Sequence, residues 1–160
     1  MAPSLFLQKG FFRKAEKMVL KMKKLLGIDY GDARTGLAVS DALGFLASGI
    51  GNIEAGGPRK LAKEIAAVCA ERGIEEIVLG HPVNMNGTLG PRSEKAKALA
   101  AVLEEETGLP VHLQDERCTT MEAHRYLNDT DTRGKKRKQV VDTLSAQIIL
   151  QTYMDAHRGQ

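Results

Sequence analysis

The sequence predicts an α/β layer fold, a mixed five-stranded sheet with helices on both faces. Three observations carry that prediction. Apolar residues recur at strand spacing in short runs and at helical spacing in longer ones. Proline and glycine bracket two of the helical stretches, each at the end it favours. The elements follow the order β-β-β-α-β-α-β-α-α, so hairpin-linked strands precede two crossover units, and one sheet must hold antiparallel and parallel pairs together.

Each element has a local cause. Leu25–Tyr30 is an apolar run that ends on Asp29, Gly31–Gly36 is rich in turn formers, and Thr35–Ser40 reads as a second strand. So short a connection makes the pair an antiparallel hairpin. Leu46–Glu54 is compatible with a third strand but is weakened by Gly49 and Gly51. Pro58 and Gly73 bracket a helix with Leu61, Ile65, Val68 and Cys69 on one face. Ile74–Gly80 is a strand, and the polar loop His81–Pro91 follows it. The next helix runs from Pro91 to Thr107 and is stopped by Gly108 and Pro110. Val111–Gln114 is the last strand. Thr119 and Glu122 form a capping box that starts a short helix to about Asn128, Asp129–Gly134 is loop, and Lys135–His157 is the longest helix. This order is of the ribonuclease-H-like kind, although periodicity does not separate it from other mixed sheets.

Length and composition narrow the function classes. With 160 residues, 42% hydrophobic and 27% charged, the chain suits one globular domain and argues against a multidomain enzyme. No apolar run approaches the ~20 residues that span a bilayer, so no membrane partner is expected. The net charge of +3 divides unevenly. Five basic residues against Glu16 give +4 over residues 1–21, and 18 basic against 19 acidic residues leave −1 over residues 22–160. Residues 1–21 therefore read as a basic, flexible N-terminal extension ahead of a domain over 22–160, with Met22 a serviceable start in its own right. Cys69 and Cys118 lack metal-type spacing and read as reduced thiols, consistent with a cytoplasmic protein.

Three acids stand out by their surroundings. Asp29 ends the first strand inside an apolar run and precedes Gly31; Glu116 follows the strand Val111–Gln114; Asp142 lies in the last helix between Val140, Val141 and Leu144. A buried carboxylate is costly unless it is paired, hydrogen-bonded or bound to a metal. Two strand ends and a facing helix could bring these acids to one sheet edge. Oxygen ligands of that type suit Mg²⁺ or Mn²⁺, which activate water for phosphodiester hydrolysis. Plainer readings stand beside this one: Asp29 as a turn acid, Glu116 paired with Arg117 or placed at a helix N-terminus, and Asp142 paired with Lys138.

The run from Arg133 to Lys138 holds five basic residues in six. A solvated charge run is its default reading. Cations at the start of a helix oppose the macrodipole, so contact with phosphates explains their placement better, with Arg125 adding to the patch. Arg92 sits in the first turn after the His81–Pro91 loop, where helix N-termini hold phosphates, while a simple Asn86-Gly87 turn accounts for the glycine.

At these residues the chain resembles the bacterial YqgF/RuvX family, whose members are described as pre-16S rRNA nucleases and were formerly grouped with Holliday-junction resolvases. The segments GIDYGDARTGLAVSD (Gly27–Asp41), GHPVNMNGTLGPRS (Gly80–Ser93), QDERCTT (Gln114–Thr120) and KKRKQVVDTLSAQIILQTYMD (Lys135–Asp155) carry the match in order. The resemblance implies a ribonuclease-H-like fold and metal-dependent phosphodiester hydrolysis. It places the family's first-strand acid on Asp29, its acid after the fourth strand on Glu116 and its last-helix acid on Asp142. His81 and Cys118 depart from the aliphatic residues usual at their positions, and residues 1–21 lie outside the match.

The expected function is a Mg²⁺- or Mn²⁺-dependent nuclease that matures the 5′ end of 16S rRNA during ribosome biogenesis, acting on RNA or on ribosomal particles. Asp29, Glu116 and Asp142 would hold metal, and Arg34, Arg92, Arg117, Lys135, Lys136, Arg137 and Lys138 would position phosphates. Two rivals are a resolvase of branched DNA and a non-catalytic RNA- or ribosome-binding factor. An actin-like ATPase is disfavoured, because that architecture needs two copies of the fold.

Overall fold

The computed structural model describes residues 22–54, 56–82, 84, 86–116 and 134–157, with side chains in the last stretch from Thr143 on. Five strands form one sheet: β1 (Leu25–Tyr30), β2 (Arg34–Ser40), β3 (Ala47–Glu54), β4 (Glu76–His81) and β5 (Val111–Asp115). Their order across the sheet is β3-β2-β1-β4-β5. The β1–β2 and β2–β3 pairs are antiparallel, whereas β4 lies parallel to β1 and β5 parallel to β4. The hairpin followed by two crossovers thus gives the mixed sheet that the element order implies.

The β1–β2 connection closes because Gly31 donates its N–H to the Arg34 carbonyl at 3.1 Å. A Cβ on Gly31 would lie 2.5 Å from that carbonyl oxygen, so the turn requires glycine. In β3 the glycines do not interrupt the strand. They form a bulge, with Leu37 opposite Gly51 and Ala38 opposite Gly49, and Gly51 takes a φ of 119°.

Among the described residues three helices cover the sheet: α1 (Pro58–Arg72), α2 (Pro91–Thr107) and α3 (Gly134–Ala156). Gly73 and Gly108 end the first two in the left-handed conformation. Strand alternation assigns the faces. Leu26, Ile28, Leu37, Ile77 and Leu79 pack with Leu61 and Ile65 of α1 and Leu99 and Leu103 of α2. On the opposite face Ala38 and Val78 pack with Ala146, Ile149, Leu150 and Met154 of α3. None of the described helices is long and apolar enough to cross a membrane.

The second face is built from small residues, and α3 rides close to it. A Cβ on Gly27 would sit 2.6 Å from Leu150 Cβ and 3.0 Å from the Ala146 carbonyl oxygen; one on Gly49 would meet Thr143 Cγ2 at 2.3 Å. A side chain at Gly27 would displace the helix, and one at Gly49 would displace the Thr143 side chain.

Element ends shift where pairing outruns propensity. Ile74 is a buried connector ahead of β4, and the strand extends through His81 because His81 pairs with Asp115. The same pairing lengthens β5 by one residue. β3 starts at Ala47 and α3 spans Gly134–Ala156. Glu116 follows the fifth strand along the chain, not the fourth. The extension 1–21, the expected helix at 119–128 and the loop 129–133 lie outside the described residues.

Substituting Gly27→Ala is expected to destabilise the fold by ~1–3 kcal/mol, the usual cost of overpacking. Melting followed by circular dichroism should show Tm lower by roughly 3–10 °C. An unchanged Tm would mean that α3 is not held this close to β1.

Candidate active site

The register brings the C-terminal ends of β1, β4 and β5 to one edge of the sheet. Ile28 pairs with Leu79, Gly80 with Gln114 and His81 with Asp115. Asp29 lies one residue beyond Ile28, on the face shared with Gly27 and covered by α3. Glu116 comes directly after β5, and its backbone N–H donates to the His81 carbonyl at 3.2 Å.

From there the Glu116 side chain crosses over Gly80. A Cβ on Gly80 would lie 2.5 Å from Glu116 Oε2 and 2.6 Å from Ile149 Cδ1. The absence of a side chain at this point opens the passage, and the Glu116 and Asp29 carboxyl groups meet in a hydrogen bond. Burial pushes the Glu116 carboxyl up to about 8, the Asp29 charge and then Asp115 push the same way, and among the described residues Arg92 opposes them. Burial and like charge therefore favour a proton retained by the Asp29–Glu116 pair.

The other expected site residues fall around this pair. Arg92, on the first turn of α2, is the cation that acts on Glu116. Arg34 opens β2 on the Asp29 face, two residues beyond Gly36, the cross-strand partner of Asp29, and it pairs with Glu54 in the ladder. Asp142 belongs to α3, one turn before Ala146. Its neighbour Thr143 donates a 2.9 Å hydrogen bond to Asn52 Oδ1. Asn52 pairs with Gly36, and Gly36 with Asp29, so α3 enters the sheet at the level of Asp29. The side chains of Asp142, Lys135, Lys136, Arg137 and Lys138 lie outside the described set, as do Arg117, Arg125 and Arg133.

Several neighbours of the pair were not singled out from sequence as site residues. His81 Nε2 and Ser93 Oγ are 2.6 Å apart, tying the end of β4 to the first turn of α2 beside Arg92. Ser93 is fully buried. Asp115 adds charge to the site, and Asn52 orients α3. Their contacts join segments 12 to 91 residues apart, and no local period announces them. In the loop after β4, the Asn84 N–H donates to the Thr88 carbonyl and Gly87 takes a φ of 84°, so the Asn86-Gly87 turn reading describes its backbone.

Among the described residues no group of three or more His, Cys, Asp and Glu is placed to hold a metal ion. The donor chemistry of the pair nonetheless fits a hard divalent cation. Two carboxyl groups share one edge, with a third at Asp115, and their mutual repulsion is what a cation would relieve. The Cys69 thiol is buried in the α1 side of the core, where burial pushes its pKa up to about 11, and it is no nucleophile.

Residues 23–156 match the model of the RuvX family, described as Holliday junction resolvase. A protein of Geobacillus kaustophilus (strain HTA426) is 46% identical over 137 residues, covering 84% of this chain and 99% of its own length. One of Clostridioides difficile (strain 630) is 43% identical over 132 residues, covering 82% and 94%. Both carry the name "Putative pre-16S rRNA nuclease". Among solved structures, Thermus thermophilus RuvC in complex with Holliday junction substrate aligns with a TM-score of 0.55 at 16% identity, over 87% of this chain and 98% of that one. The fowlpox virus Holliday junction resolvase aligns with a TM-score of 0.50 at 10% identity, over 83% and 99%. The fold is ribonuclease-H-like.

The raised Glu116 pKa has a consequence for stability. Between its ordinary value of 4.5 and about 8 the unfolded chain releases this proton while the folded chain retains it, so stability declines as pH rises through that window. In chelator, Glu116→Gln should melt close to the wild type near pH 5 and several degrees above it at about pH 8.5. A difference in Tm that does not grow with pH would contradict the buried pair.

Proposed function

The chain belongs to the RuvX family, and on that premise we propose that it is a divalent-metal-dependent nuclease that hydrolyses RNA phosphodiester bonds and trims the 5′ end of precursor 16S rRNA. The names of the relatives support this substrate, and the observation that carries the chemistry is the Asp29–Glu116 carboxyl contact across Gly80. In this reading residues 22–160 form the nuclease domain and residues 1–21 an extension to it.

Asp29 and Glu116 would hold Mg²⁺ or Mn²⁺, with Asp142 as the third carboxylate. A bound cation of this kind supplies an activated water and neutralises charge on the leaving oxygen. The chain's own residues do the rest. The glycine at position 80 and the 3.2 Å bond from Glu116 N–H to His81 hold the Glu116 backbone so that its carboxyl reaches Asp29. Glu116 must give up its proton for a cation to bind, so metal affinity should rise with pH. Arg92 offers a guanidinium beside the carboxylates for the phosphate being cleaved, and Arg34 provides a second on the α3 face. Arg117, Lys135, Lys136, Arg137 and Lys138 would bind the flanking backbone as positive charge without reading sequence.

The family's description keeps one rival in view: the same site acting on branched DNA. Purified protein should cleave precursor 16S rRNA with Mn²⁺ or Mg²⁺ and leave a four-way DNA junction intact. Replacing Asp29→Asn should lower cleavage to the metal-free level while the far-ultraviolet circular dichroism and RNA binding persist. Undiminished cleavage would remove Asp29 from the site. Preferential cleavage of the junction would transfer the activity to DNA, and RNA binding with no cleavage under any metal would favour a non-catalytic factor.

A further inference from the structure

A second feature shares the catalytic edge but lies on its other face. Tyr30 follows Asp29 and, by alternation, packs on the α1 and α2 side of the sheet. There it borders a shallow, open cleft, with Asp32, Gly80, Arg92 and Lys95 around it. Gly80 is common to both features: the Glu116 carboxyl lies against one side of it and the cleft against the other. The Gly80 backbone alone separates the carboxyl pair from the cleft, so a strand whose phosphate rests at the pair has the cleft beside it along the sheet edge.

The cleft has the chemistry of an anion site that is weakly occupied by its own chain. Arg92 and Lys95 are three residues apart on α2 and present their charges on the same side. Lys95 reaches Asp32 at 3.7 Å, with the two side chains 63% and 79% exposed. An ion pair this long and this exposed contributes little, so a phosphate can displace Asp32 at small cost.

The geometry points to this cleft as the subsite for the next phosphate along the RNA strand from the one cleaved, with Lys95 as its ligand and Asp32 as a competing anion. The assignment rests on the nuclease reading above and adds Lys95, Asp32 and Tyr30 to the substrate path. The cleft grips the backbone and contributes no base recognition.

The test is binding of a fluorescein-labelled single-stranded RNA oligomer in chelator over a range of salt. Lys95→Ala should weaken binding several-fold and reduce the slope of log Kd against log salt by about 0.7, the signature of one lost single-strand phosphate contact. Lys95→Arg should keep the slope, and Asp32→Asn should bind more tightly than the wild type. A Lys95→Ala slope equal to that of the wild type, or weaker binding by Asp32→Asn, overturns the assignment. Because no metal is present, the slopes decide the cleft independently of cleavage. A wild type that cleaves no RNA with metal added would sink the nuclease reading by a separate measurement.

Discussion

The close approach of α3 to the sheet is the constraint on which the rest of the structure depends. Burial of small residues releases little hydrophobic free energy per residue, so a face made of Gly27, Ala38, Gly49 and Gly80 would be a poor core by area alone. Its value lies in distance. With no side chains between them, the helix backbone and the strand backbones pack almost directly, and Ile149, Leu150 and Met154 fill the space that remains. The opposite face follows the usual rule, with leucines and isoleucines from strands and two helices interdigitating. One face thus supplies most of the apolar burial and the other sets a separation.

That separation explains the electrostatics of the site. Carboxyl groups gathered at a sheet edge would ordinarily point into water and titrate independently. Here Glu116 is buried against Asp29, with Ile149 of α3 beside it over Gly80. Burial and like charge then act in the same direction, and among the described residues Arg92 opposes them. The protein thus holds two carboxyl groups in an unfavourable electrostatic arrangement, sustained by packing elsewhere in the fold.

Much of this was legible in the sequence. The hairpin, the two crossovers and the long last helix follow from periods and from glycine and proline punctuation. Asp29 and Asp142 stood out because carboxylates inside apolar runs need a partner. What could not be read was how Glu116 reaches Asp29, since that depends on Gly80 in a strand 36 residues earlier, in a parallel pairing that no local period encodes. Gly49 and Gly51 looked like weaknesses in a strand, because a bulge that seats a helix is visible only once the helix is in place. His81 next to Ser93 was equally hidden, since a buried hydroxyl partner leaves no trace in hydropathy. The charge total would have misled for a simpler reason: the excess sits in residues 1–21, and around the site individual positions matter more than the sum.

The position of α3 in chain order gives the edge a history. The sheet and its α1–α2 core are specified by residues that leave the ribosome first, and chains tend to fold in that order. Until the segment 134–156 emerges, Gly27, Gly49 and Gly80 have nothing above them, and Asp29 remains in water as an ordinary surface acid. The roof over the edge is therefore the last of the described elements to be made, after the framework that it covers.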